Sequence, residues 1–249
     1  MKQRLIPSVL LKHRLAFVSR RFEGFDYVGD PINILNILSA CCVHEVLIVD
    51  KTASLSGQID QLFLQKLRSV SDFPLAYAGG IRSSSQIDIV FRAGFDKIFL
   101  SACNSELIQL AEYTLNKYGS QALGLSLDYS FIYQGRNVYN PYSRKVTQLS
   151  VVEYLEDVPL ELFSDVLLTS ILSTGMSTGI DIDVLDSISS IRVRNPILLS
   201  GGLVRYSNSL ASSLVKRCPQ FSGITASTSI FLQNYCFGSA LVSLKRHEF

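Results

Sequence analysis

Phe73-Pro74-Leu75-Ala76-Tyr77-Ala78-Gly79-Gly80-Ile81 recurs as Asn195-Pro196-Ile197-Leu198-Leu199-Ser200-Gly201-Gly202-Leu203. The offset is 122 residues in a chain of 249, so the second copy lies half a chain later. A second pair supports it. Glu45-Val46-Leu47-Ile48-Val49-Asp50-Lys51-Thr52-Ala53-Ser54 corresponds to Asp165-Val166-Leu167-Leu168-Thr169-Ser170-Ile171-Leu172-Ser173 at an offset of 120. Internal repeats constrain a fold before local propensity does. They point to one domain over 1–249, built from two half-barrels of about 1–120 and 121–249.

Hydrophobic residues make up 47% of the chain, enough for a large core. Its 23 basic and 21 acidic residues leave a net charge of +2, which argues against nucleic-acid or membrane binding through bulk charge. Apolar runs such as Leu123–Leu127 fall far short of the roughly 20 residues of a membrane span. The start, Met1 to Pro7, lacks the apolar segment of a signal peptide, so a soluble cytoplasmic protein is expected. Cys41, Cys42, Cys103, Cys218 and Cys236 are odd in number and lack metal-ligand spacing. Inert thiols are therefore expected, with no disulfide framework, metal or cofactor.

Short apolar runs alternate with amphipathic segments. The strand candidates are 4–10, 45–50, 75–78, 97–100, 122–128, 165–170, 197–200 and 223–227. Each reads as a strand buried on both faces. Helices are expected over 83–93, with a Ser-rich cap, and over 105–118. Strand–helix alternation repeated eight times with right-handed crossovers closes into a (β/α)8 TIM barrel. The stretch 129–147, rich in Gly, Asn and basic residues, reads as a long loop or hairpin after the fifth strand.

In such barrels the chemistry sits at the C-terminal ends of the strands. Glycines there let backbone N–H groups approach an anion. Gly79-Gly80 and Gly201-Gly202 are thus candidate phosphate sites, with a tight strand-to-helix turn as the alternative. Ser101, Thr228 and Ser229 stand at other strand ends. Asp128 is the candidate general acid or base. Its alternative is a helix cap, or an ion pair with Arg136 or Arg144. Asp50 could bind a substrate hydroxyl or satisfy nearby backbone. At the opposite ends, Arg4, Glu45, Lys97 and Asp165 could form an ionic ring closing the barrel, or be ordinary rim charges.

These residues carry a resemblance. Arg4-Leu5-Ile6-Pro7, Gly29-Asp30-Pro31, Val49-Asp50-Lys51-Thr52-Ala53-Ser54, Gly79-Gly80-Ile81-Arg82, Lys117-Tyr118-Gly119-Ser120-Gln121, Leu168-Thr169-Ser170 and Ser200-Gly201-Gly202 follow in order over nearly the whole chain. The sequence resembles the cyclase (HisF-type) subunit of imidazole glycerol phosphate synthase. The resemblance implies a barrel paired with a HisH-type glutaminase, whose ammonia crosses the barrel to a ribonucleotide with two phosphates. It implies that Arg4, Glu45, Lys97 and Asp165 gate the ammonia passage and that Asp96 faces the glutaminase. The family's usual products are imidazole glycerol phosphate and an aminoimidazole carboxamide ribonucleotide.

The departures lie at the other end. The family uses two aspartates, ending the first and fifth strands. Asp128 matches the second, but Leu10 replaces the first. Val18 stands where an early-loop lysine is expected, with Arg20 and Arg21 close by. Leu172-Ser173-Thr174-Gly175-Met176 replaces an Asp-x-Asp-Gly-Thr segment, and Ser101-Ala102 an Asn-Thr pair. Leu203 stands beside the second phosphate site where a small residue is usual. The Leu10-Leu11 pair and Tyr27–Asn33 look more like a second paralogue of surface-polysaccharide clusters, which serves a sugar amidotransferase making acetamidino groups. Three functions are thus weighed: an ammonia-delivering subunit for such an acceptor, a genuine histidine-pathway cyclase, and a scaffold that only activates its glutaminase.

Overall fold

The computed structural model describes residues 3–41, 43–132 and 135–232. Its strands are β1 (Arg4–Lys12), β2 (Leu15–Arg20), β3 (Gly24–Gly29), β4 (Val46–Asp50), β5 (Leu75–Ala78), β6 (Lys97–Ser101), β7 (Leu123–Ile132), β8 (Gly135–Asn140), β9 (Lys145–Ser150), β10 (Asp165–Ser170), β11 (Ile197–Ser200) and β12 (Phe221–Ser227). The order β10-β11-β12-β1-β4-β5-β6-β7 is parallel throughout, and β7 pairs back to β10. The sheet is therefore closed, and with its helices it is a (β/α)8 barrel. All eight barrel strands fall where the apolar runs placed them, with β5, β10 and β11 matching end to end.

Closure explains why the strands read as continuous apolar runs. Side chains alternate across the sheet, and both faces are dry. One set, including Val9, Ile48, Leu100 and Leu168, packs outward under the helices. The other fills the barrel: Ile6, Leu47, Ala76, Ala78, Phe99, Leu167 and Leu198. Each large apolar side chain buried this way contributes about 1.5–3 kcal/mol. Gly124 makes room for this packing, because a β-carbon there would lie 2.3 Å from the Phe99 ring.

The helices start on local signals. Asp30 accepts from Ile32 N at 2.8 Å and Asn33 N at 3.2 Å, and Pro31 opens the helix Pro31–Ala40. The helices expected at 83–93 and 105–118 occupy Ser84–Arg92 and Leu107–Tyr118. Ser83 precedes the first but makes no side-chain cap; its hydroxyl meets Ser85 Oγ at 2.9 Å.

Two antiparallel extensions rise from the carboxyl end. The segment after the fifth barrel strand is a run of hairpins, β7–β8–β9. The other, β1–β2–β3, had no counterpart in the sequence reading. Its turn places Arg21 and Phe22 at φ 51° and 64°, so the usual Gly or Asn turn marker is missing. No helix among the described residues is long and apolar enough to cross a membrane. Cys103 and Cys218 are free thiols, whereas Cys41 is disulfide-bonded, against the expectation of inert thiols throughout.

Candidate functional site

The carboxyl ends of the barrel strands surround a cavity of about 210 Å³. Leu47, Phe99 and Leu167 from the inner core form part of its wall. Phe17, Phe22 and Phe25 from the first hairpin and Tyr142 from the second form apolar walls above.

Asp128 lines this cavity from β7. It pairs in register with Thr169 of β10, whose hydroxyl donates to the carboxylate. Desolvation by the barrel wall pushes its carboxyl up to about 6, against the pull of Lys51 and the Thr169 hydroxyl. Of the alternative partners, Arg136 pairs with Asp181 at 2.6 Å instead. Arg144 makes no ion pair among the described residues. Asp128 is therefore an acid without an ion-pair partner among the described residues, its pKa raised to about 6. Leu10 lines the same cavity and offers no proton.

Lys51, absent from the candidate site residues, also reaches the cavity. It sits 5.8 Å from the centre of the Phe22 ring. Burial, then repulsion from Arg144 and Lys12, lowers its pKa, while Asp128 opposes the shift. Its signal was available: Lys51 directly follows a strand-end residue. The aromatic wall had no such signal, because it depends on the unforeseen first hairpin.

The two glycine pairs differ. Gly79 and Gly80 line the cavity, as does Ser101. Both glycines have positive φ, 124° and 71°, and β-carbons there would lie 2.4 Å from Asp50 O and 2.5 Å from Ala53 O. Gly201 and Gly202 share the conformation but are not part of the cavity wall. Gly179 N donates to Gly202 O at 3.0 Å and packs over that turn. The second pair thus forms a turn that does not reach the cavity.

Asp50 satisfies neighbouring backbone. Its carboxylate accepts from Ala53 N at 2.9 Å and Tyr77 OH at 3.4 Å, capping the helix Lys51–Ser56. Burial raises its pKa, and these hydrogen bonds partly offset that. It lies outside the cavity wall, as does Thr228, whose hydroxyl donates to Ser8 O at 2.7 Å. Ser229 is the second residue of the helix Thr228–Phe231, and its side chain lies outside the described residues.

The amino ends of the strands form a separate cluster. Arg4 bridges Glu45 at 3.0 Å and Asp165 at 2.6 Å, and donates to Ser222 Oγ at 3.1 Å. Lys97 pairs with the other oxygen of Asp165, which also accepts from Ser164 Oγ at 2.9 Å. Asp165 is 4% exposed. Burial alone would raise its pKa; attraction to Lys97 and Arg4 outweighs this and holds it low. The four charges are thus interlocked. Asp96 is exposed beside them, and its carboxylate accepts from Leu75 N at 3.0 Å.

Barrels of this kind carry their chemistry where this cavity lies. The fold and site therefore define a (β/α)8 barrel with a cavity at the carboxyl ends of its strands. The chain belongs to the family of histidine biosynthesis proteins, which matches residues 4–226. It is 26% identical over 250 residues to the imidazole glycerol phosphate synthase subunit HisF of Lactococcus lactis subsp. cremoris, covering 99% of this chain and 93% of that protein. It is 30% identical over 219 residues to a Campylobacter jejuni protein named as a candidate imidazole glycerol phosphate synthase subunit hisF2, covering 84% and 83%. A Prochlorococcus marinus protein of the same name is 30% identical over 218 residues, covering 81% of each chain. The chain is a divergent HisF-type subunit.

Proposed function

We propose that this chain is the synthase-side barrel of a glutamine amidotransferase pair. It receives ammonia from a HisH-type glutaminase docked at the ionic end beside Asp96. It delivers that ammonia to a phosphorylated acceptor above Asp128, in nucleotide-sugar or surface-polysaccharide (acetamidino) synthesis together with a sugar amidotransferase. The observation that carries this reading is the contrast between the ends: the ionic cluster is complete, whereas Leu10 faces the cavity that holds Asp128. Between them lies an apolar layer including Ile6, Leu47 and Leu167. Such a layer favours neutral ammonia over ammonium, because an unpaired charge is costly there. In the usual ring closure, each acid or base contributes a factor of roughly 10²–10⁴. A cavity with one carboxylate suits a different acceptor.

A second reading, the histidine-pathway cyclase, is favoured by Asp128 itself, since a group near pH 6 can serve as both acid and base. Ammonia-dependent turnover of the histidine-pathway ribonucleotide, in wild type and Leu10→Asp, decides between them. The proposal expects no measurable wild-type turnover. Robust wild-type turnover overturns it in favour of the cyclase. If Lys97→Ala or Arg4→Ala changes glutaminase rate but never nitrogen delivery, the barrel is a scaffold and not a conduit.

A further inference from the structure

The cavity handles charge on one side only. Lys51 stands on the wall shared with Gly79, Gly80 and Ser101. Its neighbours Lys12 and Arg144 add positive potential, and Lys12 lies 4.3 Å from the centre of the Phe25 ring. Neither Lys12, Lys51 nor Arg144 forms an ion pair among the described residues. Aromatic rings hold the lysines without neutralising them. Asp128 is the one carboxylate in the described wall, and it is a partial counter-charge.

The wall built by β11 and β12 is different. It presents the hydroxyl residues Ser200, Thr225 and Ser227, and no cation among the described residues. Gly201 and Gly202 do not belong to that wall, and Gly179 lies against Gly202, its N–H donating to the Gly202 carbonyl at 3.0 Å. Thr225 adds an independent sign of a ligand. It is 3% exposed, and its Oγ1 has no hydrogen-bond partner among the described residues. A buried polar atom without a partner is costly, and one lining a cavity is satisfied by what the cavity holds.

We infer that the acceptor carries a single anionic group, gripped by Lys51 beside Gly79 and Gly80, and turns a neutral hydrogen-bonding end toward Thr225. The inference rests on the reading of the cavity as the acceptor site. It makes Lys51 and Thr225 the residues that set acceptor specificity, and it excludes a ligand needing two anion sites.

Calorimetric binding to the whole chain tests it without ammonia or glutaminase, so failed nitrogen delivery and failed binding stay distinguishable. The probes are inorganic phosphate, ribulose 5-phosphate and ribulose 1,5-bisphosphate. One phosphate is expected per chain, and the bisphosphate should bind no more tightly than the monophosphate. Lys51→Gln should weaken phosphate roughly 10–100-fold, the range of a charge-assisted hydrogen bond, and Lys51→Arg should restore most of it. Thr225→Val should weaken ribulose 5-phosphate about 3–10-fold, leave inorganic phosphate unchanged and not lower stability. Two phosphates per chain, a bisphosphate held much more tightly, or undiminished phosphate binding in Lys51→Gln overturns the single-anion assignment. So does a wild type that binds no phosphate. Unchanged ribulose 5-phosphate affinity in Thr225→Val overturns the neutral end.

Discussion

At the amino ends of the strands, Glu45, Arg4, Asp165 and Lys97 form one unbroken run of ion pairs. At the carboxyl ends, Lys12 and Lys51 rest on aromatic rings, and Asp128 has no ion-pair partner among the described residues. Both ends withdraw charge from water, yet only one compensates it internally. Charges paired with one another hold their geometry whatever is bound. Charges left with rings and a hydroxyl are stabilised further only when a ligand arrives. The first arrangement suits a fixed element of the barrel, the second a binding site.

Breaking the paired end should have the largest effect. Lys97→Met leaves buried Asp165 with Arg4 as its one ion-pair partner among the described residues, beside the Ser164 hydroxyl. Removing one partner of such a pair costs about 3–5 kcal/mol, whereas replacing both by apolar residues is often neutral. Urea unfolding should show a loss of that size for Lys97→Met and a substantial recovery on adding Asp165→Leu. A single-variant loss below about 1 kcal/mol would mean that the cluster is loosely solvated, like an exposed pair.

The open end should respond with the opposite sign. The folded pKa of Asp128, about 6, exceeds the unfolded value of about 3.9. An acid whose pKa rises on folding destabilises the native state above the folded value. That penalty is full at pH 7 and fades as pH falls through 6 toward 4. Asp128→Asn should therefore be more stable than wild type at pH 7, by about 2–3 kcal/mol. The advantage should shrink on acidification, as read from unfolding curves at several pH values. A stability difference that does not change between pH 7 and pH 4 is incompatible with a desolvated Asp128.

What was legible in the sequence follows the same division. Strands buried on both faces announce themselves as apolar runs, so the eight barrel strands and the charges at their starts could be located. The pairing of those charges follows once the barrel closes, because Arg4, Glu45, Lys97 and Asp165 then meet at one level. The cavity was less legible. Its aromatic wall hangs on β2 and β3, whose turn uses Arg21 and Phe22 in left-handed conformations that no sequence rule favours. Gly201 and Gly202 resemble Gly79 and Gly80 residue by residue. They differ in setting, because only the first pair lines the cavity, and Gly179, from another loop, lies against Gly202. Asp50 reads equally as a hydroxyl binder or a backbone partner, and only the fold places its carboxylate on Ala53 N as a helix cap. Tertiary neighbours decide these cases, and spacing does not encode them.

The smallest effect is the most specific. Lys51 lowers the pKa of Asp128, and Lys12 is not among the groups that act on that carboxyl. Lys51→Met should therefore raise the Asp128 pKa by roughly half a unit to one unit, on the order of 1 kcal/mol. Lys12→Met should leave it in place. Carbon-detected NMR titration of the Asp128 carboxyl, with Asp128→Asn as the assignment control, separates the two. If both variants shift it equally, the cavity senses only overall positive potential, and Lys51 loses its special place. A shift confined to Lys51→Met means that one lysine couples the ligand's anion to the acid beside it. An anion bound to Lys51 would then cancel its pull on Asp128 and favour the protonated carboxyl, so binding would itself set the acid form.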